Sequence, residues 1–343
     1  MAYEGLLEDV KKAIALEEPS RTPVFAISEE FDVKWYGKWD YETVCQDGDK
    51  IAEVWIAAIE EFDYDWAWVQ VDDCWEFEPL GVGCPGECNI LRATRDHIPC
   101  TRETFVSWPK FDPATAGRIP EKLKAIRKIK ERFGDTVLIE GSAAGPYSCV
   151  GLACGMTETM MLAMDDRALL NEMCDFFVEQ QYQYIKVQVE AGAHGIWLGD
   201  CNAFSGMLSL EQYNDFAFPS CKKLVDKCKA DFDVIFHLHN SEVVPKYLQA
   251  EAELGVDIIS VGPAADIAEA KKALTGKCCF TGNLDPIEVL MRGTPELIES
   301  EVERIMGICK PGGGYIFSTG EMNPRDIPVE NMHAMVKKAK ELA

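Results

Sequence analysis

Val234-Ile235-Phe236-His237-Leu238-His239-Asn240 is the stretch from which the rest of this chain can be read. Its apolar start, rich in β-branched and aromatic residues, marks a buried strand. Side chains alternate faces along a strand, so His237 and His239 point the same way. Two imidazoles on one face, where a strand ends, form half of a metal site. The chain has only five histidines, and this strand carries two of them.

Working outward from that strand at 233–239, further strand patterns fall at 23–27, 67–72, 136–140, 195–199, 257–261, 278–281 and 314–318. Helical patterns of the 3.6 period lie between most of them, at 50–62, 119–132, 166–191, 210–229, 243–254, 265–274 and 294–309, with a last helix at 329–342. Eight strands alternating with helices predict a (β/α)8 TIM barrel, an α/β fold, forming one domain over residues 1–343. A doubly wound open sheet lacks its fingerprint here, because no G-x-G-x-x-G follows the first strand. Gly312-Gly313-Gly314 precedes a strand and reads as a turn. The Gly-, Pro- and Cys-rich stretch 76–120, after the second strand, is long enough to be a lid.

Composition narrows the function classes. The net charge of -24 repels nucleic acid, anionic membranes and polyanionic substrates. The N-terminal stretch to Glu18 is a charged amphipathic pattern and no apolar run reaches about 18 residues, so neither a signal peptide nor a membrane span is expected. Fourteen scattered cysteines, several in apolar segments, read as reduced thiols of a cytoplasmic protein, in an anaerobic setting. The Cys84 and Cys88 pair has no second pair of matching spacing and reads as loop thiols.

In a barrel the active site gathers at the carboxyl ends of the strands. Those ends carry Ser28-Glu29, Asp72-Asp73 with Glu76 and Glu78, Glu140, Asp200-Cys201-Asn202, His237 to Asn240, Asn283-Leu284-Asp285 and Thr319-Gly320-Glu321. Carboxylates around two imidazoles suit a divalent cation, so His237 and His239 are expected metal ligands, and Glu321, beside a glycine at its strand end, is a candidate site residue. Asp285 reads as a helix start. Asp200 and Glu140 stand open between site and scaffold. His97 is a loop histidine, His194 lies in a turn and His333 faces solvent from the last helix.

Several motifs, in order, resemble the uroporphyrinogen decarboxylase superfamily over nearly the whole chain. They are Gly145-Pro146-Tyr147, Leu208-Ser209-Leu210-Glu211 before a helix ending at Pro219, Gly282-Asn283-Leu284-Asp285-Pro286, and Tyr315-Ile316-Phe317-Ser318-Thr319-Gly320. The decarboxylases of that superfamily are metal-free and grip eight carboxylates with an arginine-rich N-terminal stretch. The corresponding residues 19–41 contain only Arg21. Another branch comprises zinc-dependent methyltransferases that work with corrinoid proteins. Members using coenzyme M bind zinc through His-x-Cys after the fifth strand and Cys after the eighth. The matching positions here are His237, His239 and Glu321, so both cysteines are replaced. A His2Glu site carries one negative ligand and leaves zinc a stronger Lewis acid, better suited to an oxygen leaving group than to a thiol nucleophile.

The resemblance therefore implies the first methyltransferase of an O-demethylase system. Such an enzyme moves methyl from a small methoxylated aromatic compound to Co(I) of a separate corrinoid protein, which brings the cobalamin. Asp200 or Glu140 would donate a proton, and Tyr147, Phe204 and Asn240 would face substrate. A Glu-x14-Glu-x20-His pattern associated with this subfamily occurs at Glu61, Glu76 and His97. Glu76 and His97 are secondary ligand candidates on that basis, while Glu61 falls at the opposite end of the barrel. The alternatives are a methylcorrinoid:thiol methyltransferase and a non-catalytic barrel that binds metal or a small ligand.

Overall fold

The computed structural model describes residues 3–343. Seven parallel strands form one curled sheet in sequence order: β1 (Trp66–Trp68), β2 (Leu138–Ala144), β3 (Gly195–Gly199), β4 (Ile235–His239), β5 (Ile258–Ser260), β6 (Cys279–Thr281) and β7 (Tyr315–Ile316). They correspond to the second to eighth expected strands. The first, at 23–27, is reduced to a parallel bridge between Val24 and Phe317. Phe25 N donates to Phe317 O at 2.8 Å and Asp65 N donates to Val24 O at 3.1 Å, so this segment links the two edges of the sheet. The Asp65 carboxylate fixes the junction by accepting from Val24 N at 2.9 Å, Arg21 at 2.5 Å and Lys340 at 2.7 Å.

Helices between parallel strands cover the outer face of the sheet, which is why the strands read as near-continuous apolar runs. Phe236 and Leu238 of β4 join that outer core with Leu224 and Val225. The inner face holds Trp66, Trp68, Leu138, Trp197, Ile258, Cys279 and Ile316 in a separate cluster, into which the N-terminal helix Leu6–Ile14 inserts Leu6, Val10 and Ala13. Alternation along β4 then leaves His237 and His239 inside, as expected from the sequence.

β2 departs from its expected bounds. It runs on through Gly141-Ser142-Ala143-Ala144, so Glu140 lies within the strand and not at its end. The small residues there serve packing. A Cβ on Gly141 would lie 2.3 Å from Gln188 Oε1 of the helix Arg167–Glu190, which crosses that strand closely. The expected helix at 210–229 is likewise interrupted by a π-helical stretch, Tyr213–Ala217, just before Pro219. Proline has no N–H for the helical ladder, and the wider turn absorbs the loss. No helix among the described residues is long and apolar enough to cross a membrane. All fourteen cysteines are free thiols.

Residues 76–120 contain a 3-10 turn at Glu78–Leu80 and a short helix at Arg102–Phe105. Arg92 binds Glu42 and Glu78, while Arg118 binds Asp72 and Glu78. These ion pairs pin the stretch to the ends of β1 and its neighbouring helices. Beside it, the helices Gly48–Phe62 and Ile119–Phe133 meet at Gly48, whose N–H donates to Glu121 Oε2 at 2.8 Å. A Cβ at Gly48 would lie 2.1 Å from the Glu121 carbonyl oxygen, and backbone yields little. Gly48→Ala should therefore cost about 1–3 kcal/mol. An unchanged urea midpoint in that variant would rule out this close approach.

Candidate functional site

Register brings the polar groups together. β4 lies between β3 and β5, and His239 falls opposite Ser260 because Leu238 pairs with Ile259. His239 Nδ1 is 2.7 Å from Ser260 Oγ, and its Nε2 is 3.1 Å from Glu321 Oε1. Trp197 stacks on the His239 ring with centroids 5.0 Å apart. Glu321 also accepts from Ser241 Oγ, and from Met322 N at 3.0 Å. One layer deeper, His237 Nδ1 is 3.3 Å from Glu140 Oε2 and its ring packs on Trp66. Burial pushes the Glu140 carboxyl well up and the His237 imidazole well down, the latter helped by the charge of His239. Burial would also raise Glu321, but the His239 charge and hydrogen bond outweigh it and hold that carboxyl low.

Among the described residues no three His, Cys, Asp or Glu side chains are already gathered as a metal-ligand group. The donor chemistry nevertheless fits a divalent cation. His237 Nε2 is buried and without a hydrogen-bond partner, and His239 Nε2 already faces a carboxylate.

Trp197 is also one wall of a neighbouring cavity of about 70 Å³, lined further by Gln70, Asp73, Glu76, Phe77, Ser148 and Cys201 among others. Its floor is the small-residue end of β2, Ala143 and Ala144. Asp73 opens onto this space, so its carboxylate meets solvent there while protein encloses the rest. That enclosure, with the charges of Glu76 and Asp72, pushes it up to about 7. Glu76 accepts from Ala144 N at 3.1 Å and Gln181 Nε2 at 3.2 Å, and burial raises it. Behind the wall lies Lys122, fully buried, whose ammonium donates to Ser142 Oγ at 2.5 Å and Tyr184 OH at 2.9 Å. Burial lowers Lys122 to about 8, against the pull of Glu76 and Asp72.

The expected site residues divide among these places. His237 with Glu140, and His239 with Glu321, form two polar pairs on the inner face, whereas Glu76 belongs to the cavity. His97 is exposed and lies beside Gly155. Glu61 pairs with His333 on the helix surface at 3.3 Å, so the Glu61, Glu76 and His97 pattern does not converge. Asp200 is buried beneath the cavity and accepts from Ser148 Oγ at 2.6 Å. Tyr147 is buried in the core of the helix Pro146–Cys154, and Phe204 packs over Gly206. Neither lines the cavity. The Asn240 amide is committed to Ala203 O at 3.3 Å, Glu251 Oε1 at 2.6 Å and Glu242 N at 3.2 Å, so it braces the loop after β4. Asp285 accepts from Ile287 N at 2.8 Å and Glu288 N at 2.9 Å, as a helix cap does. Sequence reasoning placed Asp73 at a strand end without giving it a role, and did not name Lys122, Ser148, Ser241 or Ser260. Register alone could have offered Ser260, and no local signal marks the others.

Fold and site together define a parallel α/β protein with polar groups collected at the carboxyl ends of its strands. The chain matches the family model described as uroporphyrinogen decarboxylase (URO-D) over residues 7–342, and it belongs to that family. Uroporphyrinogen decarboxylase from Psychromonas ingrahamii is 24% identical over 353 residues, covering 97% of this chain and 96% of the relative. Methylcobamide:CoM methyltransferase MtbA of Methanosarcina mazei is 32% identical over 231 residues, covering 65% of this chain and 64% of that protein. The solved structure of a methyltransferase from Methanosarcina mazei shares the fold, with a TM-score of 0.88 at 20% identity over 98% of each chain.

Burial raises Asp200 to about 6, against the hydrogen bond from Ser148. Its folded pKa thus exceeds the ~3.9 of an unfolded aspartate, and the folded state binds more protons between those pH values. The stability contributed by the neutral carboxyl is complete below about pH 4 and lost as pH rises through 6. Asp200→Asn keeps an acceptor for Ser148. It should match the parent near pH 4 and exceed it at pH 8 by on the order of 2 kcal/mol. Parallel pH profiles of the denaturation midpoint would refute this.

Proposed function

We propose that this chain is a zinc-dependent methyltransferase which takes methyl from a small, aromatic methyl ether and delivers it to Co(I) of a separate corrinoid protein. It does so as one closed (β/α)8 barrel, with residues 76–120 as the lid over the mouth. The observation that carries this reading is the pairing of His239 with Glu321, with His237 on the same face of its strand, beside a cavity that shares Trp197 with His239. The likeness to a methylcobamide:CoM methyltransferase supports the corrinoid partner. His237, His239 and Glu321 would hold the metal. Bound there, zinc supplies Lewis acidity that eases the departure of an oxygen leaving group.

The chain's own residues account for the remaining needs. The C–O bond breaks with its electron pair staying on oxygen, while the Co(I) pair forms the new bond to methyl. The oxygen then needs a proton, and Asp73, facing the cavity with a pKa near 7, is matched to that task. Trp197 and Phe77 offer aromatic faces. At about 70 Å³ the cavity is smaller than the ~150 Å³ that holds a benzene ring, so an arene enters only as the segment carrying Phe77 shifts outward. No lysine or arginine lines the cavity, and Arg21 is spent on Asp65. That lining suits a neutral ether and opposes an octacarboxylate, which argues against the decarboxylation of the family name.

A second reading, methyl transfer from a methylcorrinoid to a thiol, is favoured by the same relative. One anaerobic experiment separates the two. Zinc-loaded protein is mixed with cob(I)alamin or a reduced corrinoid protein and a panel of methoxyarenes, and separately with methylcob(III)alamin and thiols. Methyl-cobalt formed from an aryl ether, lost by about 100-fold or more in His237→Ala and His239→Ala, is the expected result. Methyl transfer only to thiols would install the second reading, and inertness in both directions would defeat the proposal.

A further inference from the structure

We infer that Glu140 and Ser260 are positioning residues which fix the tautomer and orientation of His237 and His239 for a cation, and that Glu140 is not the proton donor of the reaction. This rests on the zinc site proposed above, and it comes from where each ring's second nitrogen goes. The Ser260 hydroxyl has a carbonyl to donate to, Leu238 O at 3.2 Å. With its proton there, its oxygen is placed to accept from His239 Nδ1–H, 2.7 Å away. His239 is then protonated on Nδ1 and turns its Nε2 lone pair toward Glu321 Oε1 at 3.1 Å. Two acceptors hold that separation around a positive charge, a proton or a metal.

His237 repeats the arrangement one layer deeper. The Glu140 carboxyl oxygen Oε2, 3.3 Å from Nδ1, is placed to accept its N–H, which leaves Nε2 as the buried nitrogen without a partner. The carboxylate reaches from β2 across β3 to β4. It can do so because its register partner on β3 is Gly195, which puts no side chain in the way. Both imidazoles are thus held by their Nδ1 atoms from other strands and present Nε2, the arrangement that orients metal-binding histidines. Glu140 is wholly buried and absent from the cavity lining, so it reaches no substrate there.

The test reads zinc affinity and not turnover. Purified wild type, Glu140→Gln, Ser260→Ala, His237→Ala and Asp32→Asn are stripped of metal, checked for folding by circular dichroism, and titrated with zinc against a chromophoric chelator. Co(II)-loaded samples give the d–d spectrum as a second readout of ligand geometry. Asp32, a buried carboxyl bonded to Ser28 and Tyr64, controls for the loss of any buried acid. Wild type should bind one zinc, His237→Ala should lose it, and Glu140→Gln and Ser260→Ala should each weaken it by about 10–100-fold with an altered Co(II) spectrum. Asp32→Asn should bind as wild type does. Wild-type affinity in both Glu140→Gln and Ser260→Ala overturns the inference while the zinc site stands. An equal loss in Asp32→Asn overturns it as a general effect of destabilisation. A wild type that binds no zinc removes the zinc site itself. Should Glu140→Gln not fold, Ser260→Ala alone decides.

Discussion

Two imidazoles buried on the inner face of a parallel sheet set the terms for everything around them. A polar atom left unpaired in such a place costs about 1–3 kcal/mol, so each ring must recruit partners from other strands. Glu140 comes from β2 and Ser260 from β5, and Glu321 follows β7. Glycine is needed on the intervening strand for the same reason. Gly195 leaves the path that Glu140 takes, and a Cβ on Gly199 would lie 2.4 Å from the Trp197 ring that stacks on His239. The tryptophans Trp66 and Trp197 shield the rings from water and thereby strengthen whatever charge the rings face.

The acidic end of the sheet is managed by cations delivered from one helix. Arg118 and Lys122 are four residues apart, so they fall on one face at the start of the helix Ile119–Phe133. Arg118 takes Asp72 and Glu78, which removes both from any chemistry. Lys122 stops short at Ser142 and Tyr184, with Glu76 and Asp73 beyond it. Its charge moderates those two carboxyls without pairing either, and Asp73 remains the acid that faces the cavity.

The fold was legible because the strands alternate with helices and end in polar residues. The outcome differs only where backbone chemistry overrode pattern. Pro23 has no N–H and the Val24 N–H goes to the Asp65 carboxylate, which leaves that segment a bridge, and Gly141 is small because Gln188 crosses it. Strand alternation alone put His237 and His239 on one face. The substrate face was less legible, since a sequence lists the polar residues at strand ends but not which of them a long-range arginine has already claimed. Tyr147 follows β2 closely in sequence, yet the helix Pro146–Cys154 rotates it into the core.

The division of the site into two compartments bears on how one family can host unlike reactions. The imidazole compartment is deep, with both rings buried, and it leaves His237 Nε2 and Glu140 Oε1 without hydrogen-bond partners. The cavity is shallow, acidic and walled partly by the 76–120 segment, which is anchored by ion pairs and not by core packing alone. In the proposed function, chemistry that depends on the imidazoles would be set by strand residues. Substrate choice would be set by Asp73, Phe77 and their segment, which line the cavity from outside the sheet. Two determinants on separate elements can change independently, so the same scaffold can keep its fold while its metal chemistry and its substrate diverge.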